Sequence, residues 1–415
     1  MEQQLDLAAA GRYVADHAFR ASPPGPVGVE AEFFVLADDD LSRVPSPAEL
    51  RRAVDGPELP GRSRLTFEPG GQLELSAPPV SGANGAITLL TRDIAVVCAR
   101  LAARGLRLHG GGMEAARVPR RQVGGGRYDA MAAHFAACSP ASAQAGPVMM
   151  TATASIQLNL DAGRDETEIA ARWHAAHALG PVLAATFACS PVLSGRAMGA
   201  ASARLQAWGA LDPCRTRPVP EAAPERSPRE QWARYALAAS VLLVRDADGG
   251  HRPERGFSLA QWLADPELGG RAAQIADVDY HLTTLFPPVR PRGFLELRYL
   301  DGQRLADWPV AVAVSTVLHD DPRARAAAVE ASRPAAGRWG EAARCALADA
   351  PLGAAARDCL QLAGEALARM GVSAALQQAV GEFAARYTNR GRCPADDLGA
   401  GVPDLTPPSR QPASR

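Results

Sequence analysis

The chain has 415 residues, 47% apolar and 21% charged, which is enough to bury a large core and excludes general disorder. Its formal net charge is -1, so no global field favours nucleic acid or an anionic membrane. All 44 basic residues are arginine, so any side-chain cation that grips a phosphate or carboxylate does so through a planar guanidinium.

The first stretch, MEQQLDLAAAGRYVADHAF, reads as an amphipathic helix with acidic residues, not as a basic region followed by an apolar one. No apolar run reaches the roughly 18 residues of a membrane span, so a cytoplasmic protein is expected. VGVEAEFFVL then sets Glu30 and Glu32 two apart in an apolar run, which sends both carboxylates from one face of one strand. FEPGGQLELS repeats the device: Gln72 and Glu74 share a face, and Glu68 precedes a Pro-Gly-Gly turn that can bring it alongside. Residues 84–104 have helical spacing.

TATASIQLNLD, residues 151–161, alternates strictly. It predicts a strand with Thr151, Thr153, Ser155, Gln157, Asn159 and Asp161 on one face and Ala152, Ala154, Ile156, Leu158 and Leu160 on the other. Water is the ordinary destination of such a polar face. This one, however, holds hydroxyls and amides and no Lys, Arg or Glu, a composition suited to a ligand. Helical spacing resumes over 166–188, where His174 and His177 read as a surface pair, and again over 322–386. Between them, 212–229 is rich in Pro and charge and predicts a mobile loop, while GFLELRYL puts Glu296 and Arg298 on one strand face. Residues 394–415 offer no core face and are expected to form a disordered tail, leaving 1–393 as a single catalytic domain. The seven cysteines are scattered without a CxxC pair, which argues against a disulfide framework or structural zinc and for a reducing compartment.

A carboxylate in the middle of an apolar strand is costly unless it is paired or bound to metal. Four strands with mid-strand polar pairs point to a shared polar lumen. Five Glu and one Gln supply oxygen donors only, the preference of hard cations such as Mg²⁺ or Mn²⁺, and Mg²⁺ characteristically bridges carboxylates to substrate phosphates. The competing reading for any one Glu is an ion pair with one of the many arginines.

Taken together, GVEAEF, FEPGGQLELS, MMTATASIQLNLD, HLTTLFPPVRPRGFLELRYLD and CPADD resemble the glutamate-cysteine ligases of the plant and actinobacterial type. The nearest resemblance is to the actinobacterial ligases that open ergothioneine biosynthesis, and it runs from about Gly25 to Leu398. It implies an α+β, glutamine-synthetase-like carboxylate-amine ligase fold: a curved, mostly antiparallel sheet with metals and substrates on its concave face and helices packed outside. It also implies ATP-dependent joining of the glutamate γ-carboxyl to cysteine through a γ-glutamyl phosphate. By motif position the implied metal shell is Glu30, Glu32, Glu68, Glu74, Gln157 and Glu296, with Gln157 standing where related ligases carry His. Arg298 is implied as the phosphate-stabilising residue beside Glu296. Arg127 and Tyr128 in GGGRYDAM, together with Asn159, Arg215 and Arg245, are the candidates for holding glutamate, cysteine or ATP. No nucleic-acid, membrane or protein partner is expected. Two other readings stand beside this one: a ligase of the same fold using a different amine, and a non-catalytic barrel binding a small ligand. The convergent Glu residues count against the barrel.

Overall fold

The computed structural model describes residues 5–219, 226–246, 250–254 and 256–398. In chain order its strands are β1 (Pro26–Ala37), β2 (Arg64–Phe67), β3 (Leu73–Ser81), β4 (Leu106–His109) and β5 (Ser155–Leu160). Two short hairpins follow, β6 (Val192–Leu193) with β7 (Arg196–Ala197) and β8 (Leu243–Arg245) with β9 (His251–Pro253). The last strands are β10 (Val289–Pro291) and β11 (Leu295–Asp301). Among the described residues one seven-stranded sheet runs in the order β10-β11-β5-β1-β3-β2, with β4 pairing to β1. Every pairing in it is antiparallel.

Register decides which residues share a face, since directly opposed residues project to the same side. Glu32 lies opposite Glu74, Glu30 lies between Ser76 and Gln157, and Glu296 lies opposite Asn159. The alternating residues Val29, Phe33, Leu75, Ile156, Leu158 and Leu297 are fully buried in the main core. The helices Gly82–Ala102 and Trp308–Asp320 pack against that apolar side. The α+β arrangement therefore follows from period-two patterning: one sheet face feeds the helix-covered core and the other is left polar.

Several boundaries differ from expectation. Thr151 and Ala152 close the helix Pro140–Ala152, and the strand is only Ser155–Leu160. Pro140 at the first helical turn and an apolar Met149–Met150 face favour the helix, and Thr151 returns its hydroxyl to the Pro147 carbonyl at 2.7 Å. Asp161 falls beyond the strand and accepts from the Ser22 hydroxyl at 2.8 Å. The 166–188 run is two helices, Glu166–Ala178 and Gly180–Thr186, broken ahead of Pro181, which occupies the first turn of the second helix; Gly180 lies against the Trp339 ring, where an added Cβ would sit 2.3 Å from a ring carbon. His177 is buried against Trp173 and is not a surface residue. The expected loop at 212–229 contains a helical turn, Pro213–Thr216, with Arg215 fully buried, and ends in the helix that begins at Pro228; residues 220–225 lie outside the described residues. Order also extends past residue 393. Ala395–Leu398 is helical, and Asp397 accepts from Tyr387 at 2.7 Å and from Arg386 at 2.6 Å, so charge pairing anchors a segment with little apolar surface. The rest of the expected tail, 399–415, lies outside the described residues. None of the seven cysteines is bridged to another in a disulfide, and no described helix is long and apolar enough to cross a membrane.

Two buried histidines set an acid limit on this core. Burial, reinforced by Arg215, lowers His281 to about 3. Burial, reinforced by Arg172 and Arg325 over a bond to the Ser315 carbonyl, lowers His319 to about 3. Unfolded, each titrates near ~6.5, so below that pH the unfolded chain binds more protons than the folded one. Stability from each histidine is complete above pH ~6.5 and is lost toward pH ~3, at up to ~1.4 kcal/mol per pH unit. From pH 7 to pH 5 the denaturation midpoint of His319→Asn should fall less, or rise more, than that of wild type, because the variant lacks one buried imidazole that gains a proton on unfolding.

Candidate active site

The polar side of the sheet forms the floor of a cavity of about 250 Å³. Into it converge Glu30 and Glu32 from β1, Glu74 from β3, Gln157 from β5 and Glu296 with Arg298 from β11. Glu68 is delivered by the turn after β2. Its amide donates to the Gln72 carbonyl at 2.9 Å, and Gly71 donates back to the Glu68 carbonyl at 2.8 Å. Gly71 has φ 86, a left-handed conformation, and a Cβ at Gly70 would lie 2.1 Å from the Thr151 carbonyl oxygen. Both glycines are needed for the turn to seat against the end of the Pro140–Ala152 helix. Gln72 is directed to the Thr153 carbonyl at 2.9 Å, where it ties the turn down.

The carboxylates divide into two electrostatic groups. Burial, then repulsion from Glu74, raises Glu32 to about 7 against the pull of Arg204 and Arg298. Glu68 is raised well above the usual carboxylate range by burial, by Glu32 and by Glu74, with which it shares a hydrogen bond. Glu30 is raised by burial and by Glu296, with the Asn159 amide opposing at 3.0 Å. Glu296 is the opposite case. Burial alone would raise it, but Arg290 and then Arg298 hold it down at about 2. Arg290 grips both its oxygens, Nε to Oε2 at 2.5 Å and Nη2 to Oε1 at 3.0 Å. One side of the lumen is thus a carboxylate cluster short of positive charge, and the other is a guanidinium cluster around a single satisfied carboxylate.

Gln157 joins the two. Its carbonyl accepts from Arg298 Nη1 at 2.5 Å and its amide donates to Glu32 Oε1 at 3.1 Å. An amide set between a guanidinium and a carboxylate turns its oxygen to the former and its N–H to the latter. Its oxygen is therefore committed to Arg298, contrary to the metal-ligand role expected of it. The Asn159 amide donates to Glu30 Oε1 at 3.0 Å while its own oxygen is buried without a hydrogen-bond partner, and the residue is not among those lining the cavity.

Of the expected substrate residues, Arg127 and Tyr128 line the cavity, and Arg127 is tethered across it to the Thr283 hydroxyl and carbonyl, each at 2.9 Å. Arg215 does not serve as an anion binder. It is 0% exposed and spends its donors on Asp212, Thr284 and Ser240. Nor does Arg245, which bonds the Ala276 carbonyl at 2.7 Å and stacks 4.6 Å from the Tyr280 ring centroid, away from the cavity. Both were plausible because an arginine beside a turn can be a ligand or a crosslink, and only packing distinguishes the two. Sequence reasoning missed Arg204, Arg290 and Phe286 at the cavity wall. Arg290 had a signal: in VRPRGFLEL it precedes a hairpin that pairs it with Glu296. Arg204 had none, since it comes from the remote helix Ala203–Gly209.

A second cavity of about 440 Å³ adjoins the first and shares Arg204, Trp208, Phe286 and Arg298 with it. Among the described residues a separate group, His134, Cys138 and Asp212, brings possible ligand atoms within 4.8 Å of one another. Asp212 is already bonded there by Arg215 at 2.9 Å, Ser240 at 2.8 Å and the Cys214 amide at 2.9 Å, so the group is an internal crosslink.

The sequence pattern of glutamate-cysteine ligase family 2 matches residues 26–406, which spans every strand of this lumen. The chain belongs to that family. It is 44% identical over 394 residues to glutamate–cysteine ligase EgtA of Mycolicibacterium smegmatis, covering 94% of this chain and 90% of the relative. To glutamate–cysteine ligase EgtA of Mycobacterium tuberculosis it is 42% identical, covering 95% and 90% respectively. The chloroplastic glutamate–cysteine ligase of Arabidopsis thaliana is more distant, 29% identical over 68% of this chain and 55% of the relative. The actinobacterial resemblance read from the motifs is thereby borne out.

The mutual repulsion among these carboxylates is testable. Glu68→Gln should raise the melting temperature at pH 8 by a few degrees, roughly the effect of 1 kcal/mol in a chain of this size. An unchanged or lower melting temperature would show that repulsion at Glu68 does not strain the folded protein.

Proposed function

We propose that the protein is an ATP-dependent glutamate–cysteine ligase that forms γ-glutamylcysteine for ergothioneine biosynthesis in the cytoplasm. The observation that carries this reading is the single lumen with uncompensated carboxylates on one side and clustered guanidiniums on the other. Phosphoryl transfer to a carboxylate crowds anionic oxygens together, and its catalysis is chiefly positioning and charge neutralisation.

The carboxylates fit a hard divalent cation, because Glu30, Glu32 and Glu68 are raised by burial and by neighbouring carboxylates that an ion would relieve. Glu30, Glu32, Glu68 and Glu74 would hold Mg²⁺ or Mn²⁺, which supplies neutralisation of phosphate oxygens. Glu296, saturated by Arg290, orients Arg298, and Gln157 fixes Arg298 from the other side. Arg298 is thereby aimed at the transferring phosphoryl group. The γ-carboxylate of glutamate takes that group and ADP leaves. The amine of cysteine then attacks the acyl carbon, loses a proton, and inorganic phosphate departs. Arg127 and Tyr128, which line the same cavity, are assigned to the amino-acid carboxylates.

The decisive assay is ADP release with Mg²⁺, ATP, glutamate and a panel of amines, with the product identified by mass. Cysteine should be the preferred acceptor, and omission of glutamate should stop release. Glu74→Gln and Arg298→Gln should each lower kcat by about a hundredfold or more while the fold is retained, the scale seen on removing one preorganised charge-stabilising group. A better rate with another amine would replace the acceptor, and near-wild-type turnover of Glu74→Gln would overturn the cation assignment.

A further inference from the structure

Five arginines line the first cavity, and four of them have a carboxylate within ion-pair distance. Arg204 lies 3.7 Å from Asp301, and Arg290, Arg292 and Arg298 lie 2.5, 3.5 and 3.4 Å from Glu296. Among the described residues Arg127 has no such partner and is held by uncharged groups instead. It stands partly exposed at the start of the helix Gly126–Cys138. Its Nη1 donates to the Thr283 hydroxyl and its Nη2 to the Thr283 carbonyl, each at 2.9 Å. Thr283 caps the C-terminal end of the helix Ile275–Leu282, where backbone carbonyls present the negative end of the helix dipole. The Thr283 hydroxyl donates in turn to the Tyr280 carbonyl at 2.7 Å. The Tyr280 ring lies against the guanidinium, with Arg127 Cζ 5.3 Å from the ring centroid. One residue therefore contributes to both holds, its ring directly and its carbonyl through Thr283.

A carboxylate and an aromatic ring hold an arginine with different consequences. The carboxylate neutralises the guanidinium and competes with any anion that arrives, as Glu296 does at Arg290. The ring face fixes the group through its quadrupole and leaves the full positive charge for a ligand. In a lumen crowded by Glu30, Glu32 and Glu68, an arginine whose charge is unspent is the group suited to take one more carboxylate. Arg245 lies over the same ring, 4.6 Å from the centroid, but it bonds the Ala276 carbonyl and does not line the cavity.

We infer that Tyr280 is a positioning residue: by a cation–π contact it fixes Arg127 with its charge unspent, so that the carboxylate of an amino-acid substrate meets a preset guanidinium. The assignment rests on the ligase reading of the lumen, in which Arg127 takes an amino-acid carboxylate. Tyr280 is not among the residues lining the cavity and acts only through Arg127.

The test varies the ring in the full-length enzyme. The Tyr280 hydroxyl is buried without a hydrogen-bond partner, so Tyr280→Phe keeps the ring and removes no bond. That variant should keep every KM within about twofold of wild type. A trifluorinated phenylalanine at the same position has nearly the same shape and a quenched quadrupole. It and Tyr280→Leu should each raise the KM for the amino acid that Arg127→Gln affects by roughly three- to tenfold, with KM for ATP within about twofold. If Arg127→Gln raises the KM of neither amino acid, the inference falls. A packing role alone predicts that the fluorinated variant matches Tyr280→Phe, and that result overturns the inference even where Tyr280→Leu does not fold. An equal rise in KM for ATP, or a rise in Arg245→Met as large as in Tyr280→Leu, also overturns it, since either means that the segment as a whole has shifted. Wild-type turnover with glutamate and cysteine is measured first, so failure of the ligase reading shows there. The hold on Arg127 is read separately in the substrate-free enzyme, from guanidinium proton resonances that the ring should shift upfield in wild type and in Tyr280→Phe; absence of that shift overturns the inference.

Discussion

The constraint on which this structure turns is the burial of like charge. Glu74 makes both Glu32 and Glu68 harder to ionise, and Glu32 adds to the effect on Glu68. Folding alone gains nothing from such a cluster, since a buried carboxylate without a partner is penalised by several kcal/mol. The sheet can carry it because its other face, from Val29 through Leu297, supplies a continuous apolar layer under helices. The core sustains the strain.

Arginine chemistry completes the division of labour. With no lysine in the chain, each cation at the site is a planar fork, and the forks interlock. Arg290 saturates Glu296, Arg298 lies between Glu296 and Gln157, and Arg204 braces the Arg298 backbone. Fixing a guanidinium in advance removes reorganisation from the moment of reaction, which is how a preorganised site lowers a barrier in a low-dielectric setting. The same residue type makes the opposite choice at Arg215, where every donor is consumed inside the protein. Type alone does not separate a working arginine from a crosslink.

The two cavities meet at Arg204, Trp208, Phe286 and Arg298. A reaction that brings a nucleotide, an acidic amino acid and an amine together needs distinct approaches to a shared centre; under the proposed function the adjoining cavities, with their common wall, would supply them. The wall rests on Asp301 at the end of β11, so the strand that carries Glu296 and Arg298 also anchors the helix that bears Arg204.

The sequence by itself determined the sheet's two faces. Period-two alternation in VGVEAEFFVL, GQLELS and SIQLNL assigns Glu30, Glu32, Glu74 and Gln157 to one side whatever the strand order, because side chains alternate on any extended chain. The Pro-Gly-Gly turn presenting Glu68 was legible for a similar reason, since its conformation demands glycine. Tertiary structure alone decided which strands are neighbours, and therefore that Glu32 meets Glu74 and that Gln157 faces Arg298 with its oxygen. It decided that Thr151 is helical, that Arg215 and Arg245 face away from the lumen, and that Arg204 enters the wall from a distant helix. Those outcomes depend on contacts between residues far apart in the chain, and local periodicity carries no information about which partner a side chain will meet.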